Sequence, residues 1–133
     1  MNKEEIQKKV LQFQYMEASL KGLQERAQLV SQRMDDIQRT ILALEDLEKT
    51  KPSDAYIPIG HGNYVKGEIK DTEKIMVNVG GGIVLKKKRE EAKGMLEEKL
   101  KVFENDLKEI SVNAQKILTE LQKIQEDIQK LQV

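Results

Sequence analysis

The sequence predicts an α+β chain, a long antiparallel two-helix coiled coil whose arms are joined by two β-hairpins. Matching heptad ladders at the two ends, an abrupt change to β-forming residues between them, and a composition too polar for a compact core carry that reading. From Ile6 every seventh residue is Ile6, Phe13, Leu20, Ala27, Met34 and Ile41, and three residues on run Lys9, Met16, Leu23, Val30, Ile37 and Leu44. The pattern returns as Leu96, Phe103, Ile110, Ile117, Ile124 and Leu131, beside Lys93, Leu100, Leu107, Ala114, Leu121 and Ile128. Only Lys9 and Lys93 break the apolar rule, in a chain that is 38% hydrophobic overall. A 3.5-residue repeat held this long makes a coiled-coil seam rather than the broader face of a globular helix.

The first arm should run from about Lys3 to about Lys49. Pro52 ends it by pushing the residue before it out of helical geometry. The second should begin near Arg89 and continue to the end, which divides the chain into segments 1–51, 52–88 and 89–133. Each arm would be about 65 Å long at ~1.5 Å per residue. Gly22 and Gly94 each weaken a helix by about 1 kcal/mol relative to Ala, too little to break arms of this length. The two ladders are equally long, so the arms can fold back on each other with Ile6 opposite Leu131. The layers are then Phe13/Ile124, Leu20/Ile117, Ala27/Ile110, Met34/Phe103 and Ile41/Leu96, with Lys9 facing Ile128 and Lys93 facing Leu44. In that register Arg33 reaches Asp106 across one flank. Pairing between separate chains is the alternative that the ladders leave open.

Between Pro52 and Lys88 four short runs are rich in β-formers: Tyr56–Ile59, Tyr64–Ile69, Ile75–Val79 and Ile83–Leu85. Gly60-His61-Gly62-Asn63, Lys70-Asp71-Thr72-Glu73 and Gly80-Gly81-Gly82 separate them with turn chemistry. Two hairpins in series follow. Such hairpins are marginal alone in water and carry open edges, so the insert should oligomerise with the same element of other subunits. Ile57, Ile59, Val65, Ile69, Ile75, Val77, Val79, Ile83 and Leu85 are the residues expected to do it.

Composition and motifs argue against other classes. Lys plus Arg total 23 and Asp plus Glu total 23, so no net field favours nucleic acid or an anionic membrane. There is no cysteine, which excludes disulfides and thiolate metal sites and fits a reducing cytosol. MNKEEIQKK has no apolar signal core, and no run is long and apolar enough to span a bilayer. Gly80-Gly81-Gly82 precedes a strand-like run rather than Lys-Ser/Thr and a helix, so it is not a Walker A loop. The single histidine, His61, sits in a turn with no identified orienting partner. No cofactor, metal or catalytic group is expected, and the basic run Lys86–Arg89 reads as a solvated helix entrance.

Tyr56-Ile57-Pro58-Ile59-Gly60, Tyr64-Val65-Lys66-Gly67-Glu68-Ile69, Val77-Asn78-Val79-Gly80-Gly81-Gly82 and Lys86-Lys87 resemble the prefoldin alpha class, also called the GimC alpha subunit. The order helix, two hairpins, helix matches it over the whole chain; Ile83 departs from it, where many relatives carry an aromatic. The resemblance implies a cytoplasmic, ATP-independent chaperone, a hexamer of two alpha and four beta subunits whose hairpins close into a β-barrel hub. It implies that non-native clients are gripped at the distal ends of the coiled coils and passed to a group II chaperonin. Lack of cysteine and high charge content point to an archaeal source. Fraying at the chain termini would uncover Ile6, Phe13, Ile124, Ile128 and Leu131, while Val10, Leu11, Tyr15 and Val133 lie off the seam already. A coiled-coil adaptor that scaffolds specific folded partners is the alternative.

Overall fold

The computed structural model describes residues 3–131. Helix α1 spans Lys3–Lys49, strands β1 to β4 span Ser53–Gly60, Asn63–Ile69, Lys74–Gly80 and Ile83–Lys88, and helix α2 spans Arg89–Leu131. Glu4 and Glu5 stand in the first turn of α1 and Glu90 and Glu91 in that of α2, where acidic groups favour the positive end of the helix dipole. Thr50 closes α1: its N–H donates to the Leu47 carbonyl at 3.2 Å and its hydroxyl to that of Asp46 at 2.8 Å. Two carbonyls that a helix end would leave open are thereby satisfied.

The chain forms two compact units, one combining residues up to Met34 with those from Val102, the other spanning Asp35–Lys101. In the first, α1 and α2 run antiparallel. Lys9 Nζ lies 3.0 Å from Asp127 Oδ2, and Arg26 Nη2 lies 3.3 Å from Asp106 Oδ1. Val30, Ile110, Leu121 and Ile124 are buried. In the second unit Leu44 and Ala92 are buried, and Lys93 Nζ reaches Glu45 Oε1 at 3.1 Å. Every position of both heptad ladders is buried or half-buried. The two seam lysines keep their stems in the seam and carry their charges out to a carboxylate on the facing helix. Those carboxylates, Asp127 and Glu45, are the sequence neighbours of Ile128 and Leu44, the residues expected to face the lysines.

One expected contact is corrected. Asp106 is taken by Arg26, not Arg33. The two arginines occupy the same heptad position one repeat apart, about 10.5 Å along a helix, and only one can meet a given carboxylate.

The insert forms two separate two-stranded antiparallel sheets, β1–β2 and β3–β4. They share one layout, displaced by twenty residues. Ile57 pairs with Val65 and Val77 with Leu85; the register shifts between Pro58 and Gly60 and again between Asn78 and Gly80. His61 and Gly62 in one turn, Gly81 and Gly82 in the other, have positive φ at both central residues, the signature of type I′ hairpin turns. The strands outrun their apolar cores: β1 begins at Ser53, paired with Ile69, and β4 continues to Lys88, paired with Lys74. Lys86–Lys88 are therefore strand residues rather than a helix entrance. Arg89, which opens α2, is half-buried; its N–H donates to the Glu73 carbonyl and its Nη1 to that of Thr72, both at 2.7 Å.

Candidate assembly and client-binding surfaces

Each hairpin is a two-sided ribbon with cross-strand partners on the same side. Pairing places Ala55, Ile57 and Val65 on one side of the first hairpin and Ile75, Val77 and Leu85 on the equivalent side of the second. Gly67 belongs to the first set. A Cβ there would stand 2.5 Å from Ile57 Cδ1, so the missing side chain makes room for Ile57 to lie across β2. Ile69 pairs with Ser53 and Ile83 with Gly80, while Ile59 and Val79 sit at the register shifts.

Of the residues expected to oligomerise, Ile69, Ile75 and Val77 are half-buried and the other six are exposed, led by Ile59 at 67%. The sequence reading missed the opposite side. Tyr56, Tyr64, Met76 and Val84 are all exposed there, Tyr56 at 72%. Their alternation with Ile57, Val65, Val77 and Leu85 along β-rich runs was the available signal, since strands that are apolar on both sides expect cover on both.

Between the hairpins, Asp71 Oδ1 accepts from the backbone N–H of Glu73 at 2.8 Å and of Lys74 at 3.3 Å. The Glu73 amide, helped by that of Lys74 and by the charges of Lys74 and Lys86, holds the carboxyl below its ordinary value against the opposing effect of desolvation. His61 is exposed in its turn. Among the described residues no group of three His, Cys, Asp or Glu is arranged to hold a metal ion, and no helix is long and apolar enough to cross a membrane.

The residues expected to grip clients divide into two sets. Ile6, Phe13, Ile128 and Leu131 are half-buried in the seam and Ile124 is buried at 4% exposure. Leu11 at 64% and Tyr15 at 75% are open to solvent, one helical turn apart on one face of α1, with half-buried Val10 beside them. Val133 lies outside the described residues. Leu29, Leu42, Val102, Val112 and Leu118 are exposed elsewhere on the helices, and an open groove runs past Val112, Gln115 and Thr119.

Comparison with known proteins places this architecture. The family model for the prefoldin subunit matches residues 3–133, and the chain belongs to the prefoldin family. It is 30% identical over 105 residues to the prefoldin subunit alpha of Pyrococcus horikoshii, covering 77% of this chain and 70% of that protein. The alpha subunit of Nitrosopumilus maritimus is 30% identical over 101 residues, covering 76% of this chain and 70% of its own length. That of Methanobrevibacter smithii is 30% identical over 79 residues, covering 59% of this chain and 54% of the relative. Among solved structures, a filamentous PFD from Methanocaldococcus jannaschii aligns with a TM-score of 0.55 at 18% identity, over 89% of this chain and 93% of that one.

Proposed function

We propose that this chain is an alpha-type subunit of an ATP-independent cytoplasmic chaperone, a holdase that captures non-native proteins and delivers them to a group II chaperonin. It acts without enzymatic chemistry and without a cofactor. Two such chains assemble with four beta-class subunits through the hairpins, whose strands close a β-barrel hub, and the segment around Leu11 and Tyr15 contributes to holding clients. The observation that supports this most directly is the contrast between elements. The helical seams are covered throughout, whereas both hairpins leave apolar residues open on two sides and ladder edges unpaired. Helices already satisfied within the chain need no partner; such hairpins do. Membership of the prefoldin family and likeness to an assembled relative support partnering with other prefoldin subunits. Exposed apolar groups on a helix can hold unfolded segments with little shape specificity, and several weak grips in one assembly gain by multivalency.

The test is aggregation of a denatured model client without ATP, in the presence of this chain co-assembled with a beta-class prefoldin subunit. Suppression near one assembly per client is expected, with Leu11→Ser/Tyr15→Ser weakening it while leaving assembly intact. A well-formed complex that leaves aggregation unchanged would reject the holdase and favour a scaffold for folded partners.

A further inference from the structure

Gly22 stands inside α1 with nothing in the chain to require it. Its backbone is helical, and a Cβ built on it would meet nothing within 4 Å. A glycine there weakens the helix relative to alanine. Gly94 is as open, but one heptad to either side of it stand the charged Lys87 and Lys101. One heptad to either side of Gly22 stand Tyr15 and Leu29, 75% and 59% exposed.

The missing side chain opens the notch between the helices. A groove runs there from Ser19, Gly22 and Leu23 on α1 to Lys116 and Ile117 on α2. Leu23 and Ile117, both half-buried, give it an apolar floor. Arg26 at its edge is held by Asp106 at 3.3 Å, whereas Lys116 is exposed and makes no ion pair among the described residues.

The spacing selects the occupant. Seven helical residues advance about 10.5 Å, so a helix with a heptad repeat laid along this flank returns one face to Tyr15, Gly22 and Leu29 in turn. An extended chain covers that distance in about three residues at ~3.3 Å each, and residues three apart in a strand point to opposite sides. It would turn one side to Tyr15 and Leu29 and the other to Gly22.

We propose that the notch at Gly22 receives one amphipathic helix of a client. A large apolar side chain sits over Gly22, the apolar face lies between Tyr15 and Leu29, and a carboxylate meets Lys116. This is recognition of a helix by a groove through anchors on one face. The inference rests on the holdase reading and adds the form in which this part of the arm holds a client.

The test titrates the full chain into a fluorescent amphipathic peptide of about 21 residues, three heptads, with leucine on one face and glutamate on its flanks. A second peptide carries two central prolines, and fluorescence anisotropy reads both. Wild type should bind the first at least about tenfold more tightly than the second. Gly22→Leu, which fills the notch, should weaken binding about tenfold while raising the thermal midpoint of the helices by circular dichroism. Lys116→Glu should also weaken binding, and a peptide with lysine in place of glutamate should restore it. Binding indifferent to Gly22→Leu, or equal for the two peptides, overturns the proposal. So does self-association of the peptide-free chain that Gly22→Leu abolishes, which would give the notch to a second copy. Aggregation assays on the assembly with beta-class subunits separate the two levels. Suppression of aggregation together with peptide binding indifferent to Gly22→Leu would reject the notch and leave the holdase standing; no suppression by the wild-type assembly would reject the holdase itself.

Discussion

Lys93 and Asp71 show how single charges are settled by geometry, and they respond to pH in opposite directions. The hydrogen bond and charge of Glu45 raise the Lys93 pKa above its ordinary 10.5, so its contribution is complete below that value and is lost as pH rises through the higher folded value. The Glu73 amide lowers the Asp71 pKa below 3.8, so its contribution is complete above that value and is lost as pH falls through the lower folded one. Neither group should respond across neutral pH. The Glu73 amide proton, followed by NMR, should titrate with a midpoint below the unperturbed aspartate value of 3.8. A midpoint at or above 3.8 would contradict the loop geometry. No sequence rule identifies Arg89 as the clamp on this loop, because its acceptors, the carbonyls of Thr72 and Glu73, belong to the backbone.

At the scale of elements, the two helices were legible because a heptad repeat states its own face. Ile110 and Val112, two residues apart on α2, are 4% and 55% exposed, as the ladder requires. Ile110→Ala should cost about 2–5 kcal/mol, and Val112→Ala less than about 0.5 kcal/mol, read from chemical denaturation by circular dichroism. Equal costs would refute the seam. What the ladder could not decide is which of two equivalent arginines meets Asp106, since the repeat offers the same residue one turn of the pattern later. Strand cores and turns were legible from β-formers and glycines, but strand ends were not. Ser53 and Lys88 join ladders through backbone groups that take no account of side-chain polarity. The opposite charges of the two hairpins emerged only with the register, which sets Asp54 against Glu68 and Lys74 against Lys88.

For the whole molecule, the division of labour follows from where apolar surface is spent. Within the chain the helices bury their ladders, and the hairpins keep Tyr56, Ile59, Tyr64 and Met76 largely open. The proposed hexamer and β-barrel hub came only from the family resemblance, because exposed strands in one chain call for partners without saying how many or of which kind. Val77 is the residue to challenge. It is half-buried at a pairing position of β3 opposite Leu85, so an aspartate there sets a charge into the apolar side of the hairpin without touching either helix. The most direct measurement is the native mass of this chain co-expressed with a beta-class prefoldin subunit, for wild type and for Val77→Asp, beside the helical signal of each. The account predicts a hexamer of two alpha and four beta subunits for wild type, and its loss in Val77→Asp with helicity retained. A hexamer that withstands Val77→Asp would contradict it.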